Sequence, residues 1–159
     1  MAGRRFPDIT LPSDAYRTSH YPRPGWTRGI RAVLPLRKDA PNPAEYGGPE
    51  IAAKQHAAYP DIRPIEVGIS PEKVYENALA AARQMGWQIV DGNLQEGRIE
   101  ATATTRWFGF KDDVVIRIAP NADNGSRLDI RSVSRVGISD VGTNACRIRA
   151  FLKKFTASG

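Results

Sequence analysis

The sequence predicts an α+β fold: an antiparallel sheet of about four to five strands with two helices packed on one face, in the order β-α-β-β-β-β-α, preceded by a Pro-rich extended arm. Three observations predict it. Ten of the twelve prolines fall before residue 65. Two stretches of helical periodicity stand behind them, one near residue 75 and one at the chain end. Between these lie several runs with the two-residue alternation of strands. A helix-grip arrangement fits this order.

Residues 1–63 read as the arm. Pro22, Pro24, Pro35, Pro41, Pro43, Pro49 and Pro60, with Gly25, Gly29, Gly47 and Gly48, leave little room for a long helix or a central strand. Tyr16, Tyr21, Trp26, Tyr46 and Tyr59 are the residues by which such an arm docks, and residues 50–58 suit a short helix.

Residues 64–159 read as one folded domain. Ile65, Val67 and Ile69 alternate as a first strand. Ser70-Pro71 is an N-cap followed by proline at the first helical position. Val74, Ala78, Ala81 and Met85 then recur at helical spacing, and Gly86 ends the helix. Residues 87–90 suit a strand and Asp91-Gly92-Asn93 a turn. Residues 98–107 alternate strictly, with Ile99, Ala101 and Ala103 on one face and Arg98, Glu100 and Thr102 on the other. Residues 114–119 are β-branched enough for a buried strand. Asn124-Gly125 marks a turn, and 127–136 a last strand. Val141, Ala145, Ile148, Leu152 and Phe155 form the apolar stripe of a final helix, with Ser139 or Asp140 at its N-cap.

Composition narrows the class of protein. Twenty-three Lys+Arg against 17 Asp+Glu give +6. One cysteine excludes a disulfide scaffold and a cysteine zinc site. The folded part carries only a small excess of positive charge, so nucleic acid is not the favoured partner. No stretch approaches the roughly 18 apolar residues that span a bilayer, which makes the chain soluble as given. P-loop, GxGxxG, GxSxG and HExxH motifs are absent, and both histidines, His20 and His56, lie in the arm. No cofactor or metal is expected. Cys146 is expected to pack in the core beside Ala145.

The polar coding concentrates in two stretches, residues 106–113 and 131–147. Asp112 and Asp113 are neighbours in a strand and must point to opposite faces. One is expected to pair with Arg131 or Arg135, the other to cap a turn. Arg131 and Arg135 share a face, where they can grip a carboxylate or phosphate, or pair across strands with Asp112, Asp113 or Glu100. Ser132 and Ser134 share the other face. Asp140, Asn144 and Arg147 belong to the start of the last helix, where an anion can sit. Trp107, Phe108 and Phe110 flank Gly109; such residues close the end of a core or contact a base, a lipid or a partner.

The run Trp107-Phe108-Gly109-Phe110-Lys111-Asp112-Asp113, followed by Arg131-Ser132-Val133-Ser134-Arg135-Val136-Gly137, Ser139-Asp140, Gly142-Thr143-Asn144 and Arg147-Ile148-Arg149, resembles the bacterial and plastid domain-of-unknown-function family 1499 over about residues 60–156. The resemblance implies a membrane-tethered parent or neighbour, or an envelope location. It assigns no catalytic role to any residue. The chain departs from the family pattern in having no membrane segment and no extra cysteines near the domain start.

Two functions follow. In the first, the domain is a non-catalytic binding or protein-interaction module. Trp107, Phe110, Asp112, Asp113, Arg131, Ser132, Ser134, Arg135, Asp140, Asn144 and Arg147 would then hold an anionic ligand or a protein segment. In the second, it is a hydrolase- or lyase-type enzyme with Asp112 or Asp113 as general base and Arg131 and Arg135 as anion stabilisers.

Overall fold

The computed structural model describes residues 30–44, 53–55, 57–137 and 142–157, and the backbone of the two-residue strand at 14–15. The sheet strands are β1 (Asp14–Ala15), β2 (Ile65–Val67), β3 (Gln88–Asn93), β4 (Arg98–Thr104), β5 (Lys111–Pro120) and β6 (Ser126–Ser134). The helices are α1 (Pro71–Gln84) and α2 (Thr143–Ala157). A 3-10 turn covers Leu34–Arg37. The sheet order is β1-β6-β5-β4-β3, all antiparallel, and β2 pairs with the first half of β6 while β1 pairs with its end. β5 is therefore the central strand, with β4 and β6 along most of its length.

The α+β architecture is as the sequence predicts. α1 and α2 touch each other and both rest on one face of the sheet. α1 begins at Ser70, whose hydroxyl accepts from the Lys73 amide, with Pro71 at the first helical position. The main core lies under the helices. Val74, Ala78 and Ala81 of α1 and Ile148, Phe151 and Phe155 of α2 meet Ile99, Ile116, Leu128 and Ile130 of the sheet. Trp87 stacks on Phe151 at 5.3 Å. Tyr59 packs against the edge of this core beneath the Arg149 guanidinium, which also forks onto Asp61 at 2.6 and 2.7 Å. A second, smaller apolar cluster lies on the opposite face, where Ile30 and Val33 cover Val115 and Val133.

Several local expectations change. Asp91-Gly92-Asn93 is not a turn but the end of β3, which carries a bulge between Ile89 and Asp91; the chain reverses later, at residues 94–97. At Gly92 a Cβ would come within 2.4 Å of the Tyr75 hydroxyl, so any side chain there requires Tyr75 to shift. β4 stops at Thr104 rather than Trp107, and β5 starts at Lys111, so both aspartates sit inside the strand. Cys146 is exposed, because Ala145 faces the core and the next residue is rotated about 100° away. Ser139, Asp140 and Val141, with Tyr16, Tyr21, Trp26 and Tyr46, lie outside the described residues. Of the predicted short helix at 50–58, residues 53–55 and 57–58 are helical.

Gly97 closes the β3–β4 turn with a φ of +60°, and a Cβ there would meet the Ile118 carbonyl oxygen at 2.0 Å. Both terms act against any side chain. Gly97→Ala is expected to lower stability by about 1–3 kcal/mol in a denaturant titration, whereas Gly68→Ala, with open space around it, should stay within about 0.5 kcal/mol of the parent protein.

Candidate functional site

The pleat of β5 divides the predicted site residues between the two faces of the sheet. Asp112, Ser132, Ser134, Asn144 and Arg147 gather on the helix-covered face. Asp113, Arg131 and Arg135 belong to the opposite face, where residues 30–44 join them. They do not converge on one surface, as the single-site reading required.

On the helix side, the first turn of α2 brings Asn144 and Arg147 over the ends of β5 and β6. The Arg147 guanidinium donates to Asp112 Oδ2, to Asn144 Oδ1 at 2.6 Å and to Ser132 Oγ at 3.0 Å. Ser132 Oγ donates to Asn144 Oδ1 at 2.5 Å, and Asn144 Nδ2 donates to Ser134 Oγ at 3.0 Å. Each polar group is answered by another from the same cluster. Asp112 thus neutralises a helix arginine and caps no turn. Arg147 is drawn inward for the same reason, although its position in the helix reads as a surface cation.

On the other side, Asp113 is fully buried and holds two arginines. Arg135 grips it in a fork, Nη2 to Oδ1 at 2.8 Å and Nε to Oδ2 at 3.0 Å. Arg37 Nη1 donates to Oδ2 at 2.6 Å, and the Thr102 hydroxyl donates to Oδ1 at 3.0 Å. Arg37 also donates to the carbonyls of Asn42 (3.0 Å) and Ser134 (3.3 Å), while Arg135 Nη1 reaches the Leu36 carbonyl at 2.9 Å. The 3-10 turn at Leu34–Arg37 and β6 are therefore tied through one carboxylate. Burial by itself would raise the Asp113 pKa; the hydrogen bonds from Arg135, Arg37 and Thr102 together outweigh it and hold the carboxyl below the usual aspartate range. The expected pairing of one aspartate with Arg131 or Arg135 is met by Arg135. Arg131 is buried on the same face.

A second buried carboxylate lies on this face. Glu100 is fully inaccessible and accepts from the Arg31 amide (2.8 and 3.0 Å) and the Val33 amide (3.1 Å), and from Arg98 Nη1. Arg98 is held in turn by Asp91 at 2.8 Å and Glu96 at 3.1 Å. Sequence reasoning placed Arg98, Glu100 and Thr102 on one strand face and used Glu100 only as a possible cross-strand partner. The signal available was a Glu in mid-strand between Ile99 and Ala101, a position that demands compensation. Nothing in the sequence pointed to Arg37, which follows Leu34-Pro35-Leu36 and precedes Lys38-Asp39.

The aromatic loop is different. Residues 105–110 connect β4 to β5, closed by the Thr105 amide bonding to the Phe110 carbonyl at 2.8 Å and by Gly109 at φ +64°. Trp107 is 91% exposed, Phe108 77% and Phe110 51%. They close no core. Phe108 and Phe110 stack on each other at 5.6 Å.

Chemically, both carboxylates are engaged by arginines. A general base must be free to take a proton, yet Asp112 is paired with Arg147, and Asp113 is gripped by Arg37 and Arg135, which hold its carboxyl below the usual aspartate range. Among the described residues no three His, Cys, Asp or Glu side chains are placed to hold a metal, and His20 and His56 lie outside those residues.

Removing one member of a buried pair strands its partners. Glu100→Ala is expected to cost about 3–5 kcal/mol in chemical unfolding. The depressed Asp113 pKa gives a second test. Its contribution to stability is present in full above the unfolded-state value of about 4 and is lost as pH falls through the lower folded-state value. The stability advantage of the parent protein over Asp113→Asn should therefore be constant at neutral pH and shrink below about pH 4, followed by unfolding midpoints from pH 7 to pH 2. A gap that stays constant throughout would exclude this account.

No curated protein matches the chain. Among solved structures, the crystal structure of TTHA0849 from Thermus thermophilus is similar at 12% identity, covering 60% of this chain and 92% of its own, with a TM-score of 0.35; so distant a likeness carries no argument. Among the described residues no helix is long and apolar enough to cross a membrane. The family model described as protein of unknown function, DUF1499, matches residues 38–155, well over half of the sequence, and the chain belongs to that family.

Proposed function

We propose that this domain is a non-catalytic binding module whose contact surface is the β4–β5 loop, with the Arg/Asp clusters on either side of the sheet serving to hold that loop's base rigid. The observation that carries the reading is the contrast between the two groups of candidate residues. The charged groups are buried and answered by one another, whereas Trp107, Phe108 and Phe110 stand in water. Three large apolar side chains in one exposed turn have a solvation cost and give no folding gain, which is the pattern of an interaction site.

The two clusters lie directly below the loop and support this reading. Asp112 and Asp113 sit two and three residues beyond Phe110, in the first residues of β5, and are pinned from both faces. Thr102, three residues before Thr105, is pinned to the same Asp113. Both arms of the hairpin are thus fixed immediately below the aromatic turn.

A photo-crosslinking amino acid placed at Phe108 and activated in the native host tests this directly. Adducts at 108 are expected to exceed clearly those from the same probe at Asp123, an exposed residue in the turn at the other end of β5. Equal labelling at the two positions would remove the loop as the contact surface.

A further inference from the structure

Resting on the reading of the loop as the contact surface, we infer that its partner is an anionic lipid bilayer, with Trp107, Phe108 and Phe110 entering the headgroup region and Arg106 and Lys111 resting on the phosphates. The three aromatics stand exposed in the one short turn that joins β4 to β5. A rigid protein partner must supply a matching pocket; a fluid bilayer interface accommodates a protruding tip without one. Trp is the residue whose amphipathic ring suits that depth, and Trp107 is the most exposed large apolar side chain among the described residues.

Charge agrees with this choice. From Thr104 to Lys111 the only charged side chains are Arg106 and Lys111, both exposed, one on each side of the aromatic turn. The two carboxylates that follow, Asp112 and Asp113, are buried and neutralised by arginines, so they present no negative charge to a membrane. The same end of the sheet carries a further apolar rim. The Arg135 amide bonds to the Lys111 carbonyl at 3.1 Å, and the Arg135 side chain to the Leu36 carbonyl. This places Val136 and Leu36, both exposed, beside the base of the loop. Lys38 is exposed in the same segment, with Asp39 as the acid next to it. An apolar tip, an apolar rim and basic groups around them match an anionic interface.

The test is co-sedimentation of the full chain with vesicles of phosphatidylcholine alone or with phosphatidylglycerol added. Binding is expected on the anionic vesicles, to fall steeply with salt, and to be weak on the neutral ones. Trp107→Ser with Phe108→Ser should lower the partition at least about tenfold, and Arg106→Gln with Lys111→Gln should lower it several-fold on anionic vesicles only. All four side chains are exposed, so the unfolding midpoint should not move; this separates loss of the contact from loss of the fold. Binding to neither vesicle, or anionic binding that survives the aromatic double substitution, would overturn the inference. Protein adducts from the Phe108 crosslinker together with no vesicle binding would overturn the bilayer alone and keep the loop as a contact surface. No adducts and no vesicle binding would remove both.

Discussion

Two consecutive aspartates in the central strand impose the constraint that the rest of the structure answers. In an extended chain Asp112 and Asp113 leave opposite faces of the sheet, so no single cation serves both. A buried carboxylate without a partner is too costly to keep ionised, and each face must supply its own arginine. On one face the first turn of α2 brings Arg147. On the other, the residue just after β6 is Arg135, and the segment before residue 45 brings Arg37. The position of α2 and the path of residues 30–44 over the open face are both consistent with this requirement.

Glu100 repeats the device one strand away. Its partners include the backbone amides of Arg31 and Val33, so the carboxylate fixes the main chain of that segment directly. Ile30 and Val33 then add apolar cover over Val115 and Val133. An antiparallel sheet with helices on one face commonly leaves the other face to water. Here much of that face is charged and nevertheless buried, with residues 30–37 lying over part of it. Such a network is stable only when complete, since each charge depends on the others being present.

Much of this was legible in the sequence. The helices, the four-strand run and the alternation along 98–104 all follow from periodicity, and the opposite orientation of the two aspartates follows from strand geometry. Local signals failed where a distant group decided the outcome. Asp91-Gly92-Asn93 has turn chemistry, but Asp91 is held by Arg98 and Gly92 lies under Tyr75, so the strand continues through it. Trp107 and Phe108 look like core residues by hydrophobicity alone; nothing within the loop says that they stay exposed. Arg37 looks like a solvated residue in a proline-rich stretch and proves to be one of the more buried charges.

The sequence by itself determined the order of the main elements and the alternation of side chains along β4, because those depend on spacing within a few residues. It also determined that an aromatic turn and a pair of acids stand next to each other. Only the tertiary structure decided which of these is buried. That choice depends on residues about 70 to 100 positions apart meeting across the sheet, Arg37 with Asp113 and Arg31 with Glu100 among them. Electrostatic neutralisation of a buried charge is a property of the assembled neighbourhood, and no local pattern encodes it.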